Sequence, residues 1–376
     1  DSELRKSNVS SVKLRESKVH SSPKLIYSQY FLFFHPALIY RLQLQLLIKR
    51  INVKPVKFPP LIMNEILPSM QSILITGGTG LIGSTLCKLL IEKGYKVFVL
   101  TRSSQTIAGT KRAYWDPDTH TIDTKSVAEA DIIIHLAGTN IGGGRWTKQR
   151  KQQILSSRVE TANLVFNSIK KSPKKPHTFI SASAVGYYGA VTTDQIFTED
   201  SNPSDDFLGT VCRKWEEASY PFQSLGLRTV ILRTGVVFSP KSGALSKMAL
   251  PFKFGMGAVL GSGWQHLPWI HINDLCQIYQ NAIQDDQMSG VYNAVAPEHV
   301  NNRSFTEALS QVLNRKIWLP AIPGSLLTLL LGEMSKMVLE GSRVSSEKLL
   351  KSGFKFRFPL LLDALKDVLL SQIAKG

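Results

Sequence analysis

Cysteine is scarce in this chain. Three residues in 376, Cys87, Cys212 and Cys276, are odd in number, far apart and free of any C-x-x-C spacing. That excludes a disulfide framework and a zinc site, and it reads as free thiols in a reducing compartment, with no metal expected. Acidic residues are also few: 28 Asp and Glu against 45 Lys and Arg leave a net charge of +17. No recognised nucleic-acid motif accompanies that charge, so no nucleic-acid partner is expected and most of the excess is assigned to solvated faces. A clean apolar run is missing too. The stretch from Ile26 to Ile48 is broken by His35, Pro36 and Arg41, so no membrane span is expected. There is no internal repeat.

Residues 1–69 read differently from the rest, being basic, Ser-containing and acid-poor, with 11 Lys and Arg against 4 Asp and Glu. They are expected to form a disordered extension. Two origins stay open: a targeting segment, which would place the protein in an organelle, or sequence upstream of a start at Met70 or Met63, which would leave it in the cytoplasm.

The most informative stretch is Ser72-Ile73-Leu74-Ile75-Thr76-Gly77-Gly78-Thr79-Gly80-Leu81-Ile82-Gly83. A branched apolar run enters glycines spaced G-x-x-G-x-x-G, and an apolar helix pattern follows from Leu81 to Ile91. Strand, tight turn and helix in this order put backbone N–H groups and a helix N-terminus against a dinucleotide pyrophosphate. Gly77 makes the turn, Gly80 allows the phosphates close, and Gly83 lets helix and strand pack, with Leu81 and Ile82 in the first helical turn. Lys96–Leu100 is a second buried strand. At its end, where an acid would select NAD, Thr101 and Arg102 stand instead. A guanidinium flanked by hydroxyls suits a 2′-phosphate, hence NADP (NADPH).

Further strands are expected at Asp131–Leu136, with Ala137 and Gly138 as a small-residue exit, at His177–Ser183 and at Arg228–Arg233. Helices are expected at Thr147–Ile169 and Asp206–Gln223. This alternation predicts an α/β, Rossmann-type doubly wound parallel sheet over residues 70–240. From about Leu245 the pattern changes to Gly, Pro and Trp and then to helical stretches at Ser304–Leu313, Ser325–Glu340 and Ser345–Lys351. Residues 241–376 are therefore read as a smaller substrate-side lobe with a helical extension, some of its elements returning to the sheet.

Several stretches together resemble one family: the glycine turn, His135-Leu136-Ala137-Gly138, Gly144-Arg145-Trp146, Ser156–Thr161, Ile180–Gly189, Trp215-Glu216, Arg233–Val237, Pro251-Phe252, Trp269-Ile270-His271 and Ala296-Pro297. They are similar to the atypical extended short-chain dehydrogenase/reductases (SDRs), the epimerase-family or SulA-like proteins, from about Met70 to the C-terminus. The resemblance implies an NADP-binding core with a C-terminal cap. It implies cofactor contacts at the glycine turn, Thr101, Arg102, Leu136, Ala137 and Arg158, with Gln153 and Val237 as further candidates.

An SDR of the usual kind uses Ser, Tyr and Lys, with the Tyr hydroxyl as general acid/base. Ser183 ends the right strand. With Glu216 fixing the register, the Tyr position falls on Leu208 and the Lys position on Cys212. An acid must then come from elsewhere, and Tyr187 and Tyr188 are the candidates closest to Ser183. His271 is read as a structural hydrogen-bonding residue, Asn273 or Asp274 as the cap of a helix starting at Leu275, and Gly142-Gly143-Gly144 as a loop near the nicotinamide end. Two functions follow. One is an NADP-dependent oxidoreductase or epimerase acting on an unknown small carbonyl or sugar-like substrate. The other is a non-catalytic NADP-binding protein with a regulatory or division-related partner. An oligomer is compatible with either.

Overall fold

The structure, a computed structural model, describes residues 70–104 and 107–373. The expectations placed on residues 1–69, Met70 aside, lie outside the described residues. Strands β1 (Ser72–Thr76), β2 (Lys96–Thr101), β3 (Lys111–Asp116), β4 (Thr121–Ile122), β5 (Ile132–His135), β6 (Thr178–Ala184), β8 (Arg228–Thr234) and β11 (Gly290–Ala294) form one sheet in the order β11-β8-β6-β5-β1-β2-β3-β4. All neighbours are parallel except β3 and β4. The short strands β7 (Ile196–Phe197), β9 (Val236–Phe238), β10 (Trp269–His271) and β12 (Arg343–Val344) pair outside it, β9 with β10 and β7 with β12.

Helices cover both faces, and the period of two along each strand decides which side chain meets which helix. Ile73 and Ile75 point to the face covered by α1 (Leu81–Glu92) and α6 (Ile272–Gln284), where Leu86 and Ile278 are buried. Leu74 points to the other, against Val165 and Ile169 of α3 (Lys148–Lys171) and near α2 (Thr124–Glu129). Each such side chain contributes roughly 1.5–3 kcal/mol through burial. The order of the sheet reverses between β1 and its neighbours β2 and β5, and that switch point is where the glycine turn emerges.

The remaining helices are α4 (Phe207–Glu217), α5 (Ala244–Lys253), α7 (Asn302–Leu313), α8 (Gly324–Leu331), α9 (Lys336–Leu339), α10 (Glu347–Lys351) and α11 (Leu361–Ile373). The expected helix over 206–223 stops at Glu217 and resumes as a 3-10 turn over Tyr220–Leu225, where Pro221 cannot continue an α-helix. The expected helix over 325–340 breaks at Gly332, whose φ is +62°. Strand β3, with its charged, outward-facing Lys111 and Arg112, escaped the sequence reading, as did α5 and α11.

Helix α6 starts at Ile272, three residues earlier than expected, because His271 itself is the cap: its Nδ1 accepts from Asn273 N at 3.1 Å. Asp274 is therefore free for another task. Its carboxylate, 1% exposed, accepts from Arg357 N at 2.8 Å and Phe358 N at 2.9 Å. The C-terminal segment is stitched to the core at that point.

Candidate active site

The glycine turn closes on the exit of β5. Gly77 has φ +67°, and a Cβ on it would fall 2.9 Å from Ala137 N. A Cβ on Gly83 would lie 2.4 Å from Gly77 O. Only hydrogen fits at either position, so these two glycines set the shape of the turn. Thr79 and Gly80 are exposed at its lip, and Leu81 and Ile82 half-buried behind it. Gly243 sets a further boundary, because a Cβ there would come within 2.9 Å of Leu81 Cδ2 and 3.8 Å of Val237 O.

Below the turn runs a hydrogen-bond chain that sequence reasoning missed. Thr76 Oγ1 accepts from Leu136 N and Ala137 N, both at 3.1 Å, so its own proton goes to His135 Nδ1 at 2.9 Å. His135 Nε2–H then points to Thr161 Oγ1 at 3.3 Å, and Thr161 donates to Ser157 O at 2.7 Å. The imidazole is fully buried, and burial pulls its pKa down to about 4. A neutral histidine thus ties the end of β1 to β5 and α3.

Arg102 stands at the end of β2, 64% exposed, and meets Asp118 at 2.9 Å. Thr101 beside it is buried, and its Oγ1 accepts from Ser103 N at 3.0 Å. Arg158 comes from α3 to the exit of β5. It donates to Thr139 O at 3.1 Å and Ile154 O at 2.9 Å, and lies 4.8 Å over the Trp215 ring. A Cβ on Gly138 would sit 3.1 Å from its guanidinium carbon. Burial pulls the pKa of this arginine down. Gln153 is exposed one turn earlier on the same helix. The turn, the helix N-terminus, the small exit at Ala137 and the two arginines form a cradle that fits a phosphorylated dinucleotide.

The register of β6, β8 and β11 aligns Ser183, Arg233 and Asn293 in one row. Ser183 Oγ donates to Glu216 Oε1 at 2.7 Å. Arg233 clasps the same carboxylate with Nε at 2.9 Å and an η nitrogen at 2.8 Å, all of it buried. Burial works against the guanidinium charge, but the hydrogen bonds and ion pair with Glu216 outweigh it and hold the pKa above its ordinary value. Arg233 also donates to Tyr188 Oη at 2.9 Å, and Tyr188 donates to Asn293 Oδ1 at 2.6 Å. Tyr188 is 1% exposed, and burial pushes its hydroxyl up to about 12. Its proton is held inside the protein, which corrects the expectation of Tyr188 as a proton donor to substrate. Tyr187 is half-buried, its ring 3.4 Å from the Arg233 guanidinium carbon. The one local sign of it in the sequence is Arg233 itself, a charge set directly after the apolar run Val230-Ile231-Leu232, and that sign names no partner.

Leu208 and Cys212, which the sequence count assigns to the usual Tyr and Lys positions, face the segment that follows β6. A Cβ on Gly186, in the 3-10 turn after β6, would be 3.4 Å from Leu208 Cβ and 3.5 Å from Cys212 Sγ. Cys212 is buried and its thiol is pushed up to about 12, so it is no nucleophile at neutral pH.

The model of the NAD dependent epimerase/dehydratase family matches residues 73–295. The chain belongs to that family. Residues 322–368 of the chain match a further model, described as a domain of unknown function, DUF1731. Epimerase family protein YfhF of Bacillus subtilis (strain 168) is 38% identical over 302 residues, 80% of this chain and 98% of its own length. The solved structure of human epimerase family protein SDR39U1 (isoform 2) with NADPH is similar at a TM-score of 0.70 and 32% identity, covering 79% of this chain and 99% of that one. The nucleoside-diphosphate sugar epimerase from Corynebacterium glutamicum gives 0.66 and 32%, covering 82% of this epimerase-family chain and 60% of its own.

Proposed function

We propose that this chain is an NADP(H)-dependent oxidoreductase or epimerase acting on a small carbonyl or sugar-like substrate. The observation that carries the reading is the glycine turn closing on Ala137, with Arg102 rather than an acid at the end of β2. The NADPH held by human SDR39U1 supports the same cofactor. Gly77, Gly80, Leu81, Ile82 and Gly83 would receive the pyrophosphate at the start of α1, Thr101 and Arg102 the 2′-phosphate, and Leu136, Ala137 and Gly138 the face of the cofactor at the exit of β5. Arg158 stands beside the buried Cys212 and supplies the positive charge that the missing lysine would have brought. Gln153 and Val237 flank this path. Bound there, the cofactor supplies the hydride acceptor or donor.

The chain's own residues would orient and protonate. A carboxylate only accepts, so the Ser183 proton belongs to Glu216 and Ser183 offers lone pairs alone to a ligand. It would accept from a substrate hydroxyl. With Tyr188 held inside the protein, Tyr187 is the remaining hydroxyl of the pair for proton exchange with substrate.

The test is an NADPH and NADH fluorescence titration of the purified protein, followed by hydride transfer to a panel of carbonyl compounds and sugar nucleotides. NADPH preference with turnover is the expected result. NADPH binding without turnover across the panel would favour the cofactor-binding module, a reading to which Leu208 and Cys212 lend support.

A further inference from the structure

At the position of the usual catalytic tyrosine the surroundings are hydrocarbon. Leu208 packs in a cluster with Ile141, Trp146 and Met334. Ile141, Leu208 and Met334 are each half-buried, so each keeps apolar surface on show. From Met334 the chain leads directly back to α8, a helix with no buried residue. Leu326, Leu329 and Leu330 stand on one stripe of it at i, i+3 and i+4, and Leu329 is 74% exposed.

This stripe is tied to the glycine loop at the end of β5. Arg145 donates to Leu330 O at 2.8 Å and to Leu329 O at 2.9 Å. On the other side of the same loop, Lys247 of α5 reaches Gly142 O at 3.4 Å and shares its helical stripe with the exposed Leu250 and Phe254. Large side chains gathered in this way mark a binding surface. Its inner end, Leu208, faces Gly186, the residue before Tyr187, where a Cβ would come within 3.4 Å of Leu208 Cβ.

We propose that the strip from Leu208 through Met334 to Leu329 and Leu330 holds the body of the substrate, and that this body is an alkyl or aryl group attached to the carbonyl, not a sugar nucleotide. The proposal rests on the reaction site inferred above. The charges beside the strip, Lys151 and Glu333, are already paired with each other at 2.5 Å, so hydroxyls laid against Leu208 and Met334 would lose water for little return, whereas each methylene buried there strengthens binding by up to about fourfold.

The test uses the full chain and prodan, a fluorescent naphthyl ketone, with and without NADPH. The expected result is a saturable blue shift of prodan emission. Straight-chain aldehydes from butanal to decanal should displace it with affinity rising about two- to fourfold per methylene, and UDP-glucose should not. The double variant L329D/L330D alters exposed positions only. It should weaken prodan at least tenfold while NADPH affinity stays unchanged. Equal prodan affinity in wild type and variant would overturn the proposal, and so would displacement by UDP-glucose with no dependence on chain length. It would also be overturned by a strip that self-associates in sedimentation or binds phosphatidylcholine vesicles in place of the aldehydes. If NADPH fails to bind, the reaction falls, whereas the prodan response and its loss in L329D/L330D still decide the strip.

Discussion

Ser183 donates its hydroxyl proton to Glu216 across 2.7 Å, and Arg233 grips both oxygens of that carboxylate. The pair sits in the protein interior, so breaking it leaves a charge without a partner. Glu216→Ala should lower unfolding free energy by roughly 3–5 kcal/mol. Ser183→Ala removes only a neutral donor and should cost about 1–2 kcal/mol. Urea midpoints of the two variants measure the difference, and equal losses would contradict the asymmetry.

The two adjacent tyrosines should part company. Tyr188→Phe leaves Asn293 Oδ1 without its donor in the interior, so stability should fall by about 1–3 kcal/mol while NADPH binding persists. Tyr187→Phe should leave stability nearly unchanged and reduce turnover at least about 100-fold. Thermal unfolding beside steady-state kinetics separates the two, and full activity in Tyr187→Phe would remove it from the chemistry.

How much of this was legible in the sequence follows from what each signal depends on. The glycine turn, β1, β2 and α3 declare themselves locally, through spacing and periodicity. The assignment of Leu208 and Cys212 to the Tyr and Lys positions rests on counting along the helix from Glu216. The partnership of Glu216 with Arg233 was not legible, because it needs the register of β6 against β8 and a helix lying over both. His271 is the structural hydrogen-bonding residue expected, but its place as the cap, in lieu of Asn273 or Asp274, was not legible. As a cap it looks like any polar residue before a helix, and only the bond from Asn273 N shows which residue does the capping.

Arg102 and Asp118 form an exposed pair, 64% and 81% exposed, whose intrinsic worth is small. A 2′-phosphate would compete with Asp118 for the guanidinium. Arg102→Ala should weaken NADPH about 10- to 100-fold with little change for NADH. Asp118→Asn should strengthen NADPH severalfold. Fluorescence titrations of both variants check this, and equal loss of both cofactors in Arg102→Ala would exclude the phosphate contact.

His135 gives a pH signature. Its ordinary value of 6.5 falls to about 4 in the fold. Above 6.5 both folded and unfolded states hold it neutral and stability is undiminished. As pH falls from 6.5 towards 4, only the unfolded state takes the proton, so stability drops, by roughly 3 kcal/mol in total. Below about 4 this contribution is flat. His135→Asn should shallow the slope of stability against pH within that window. An unchanged slope would mean that the imidazole is not held neutral.

Asp274 carries a last consequence. Its carboxylate lies in the interior and its two amide donors come from Arg357 and Phe358. The two family matches, 73–295 and 322–368, fall on opposite sides of that bond. A gene cut between them would leave the first piece with a buried carboxylate that has lost both of its amide donors. The second region thus completes the interior of the first and is no appended tail.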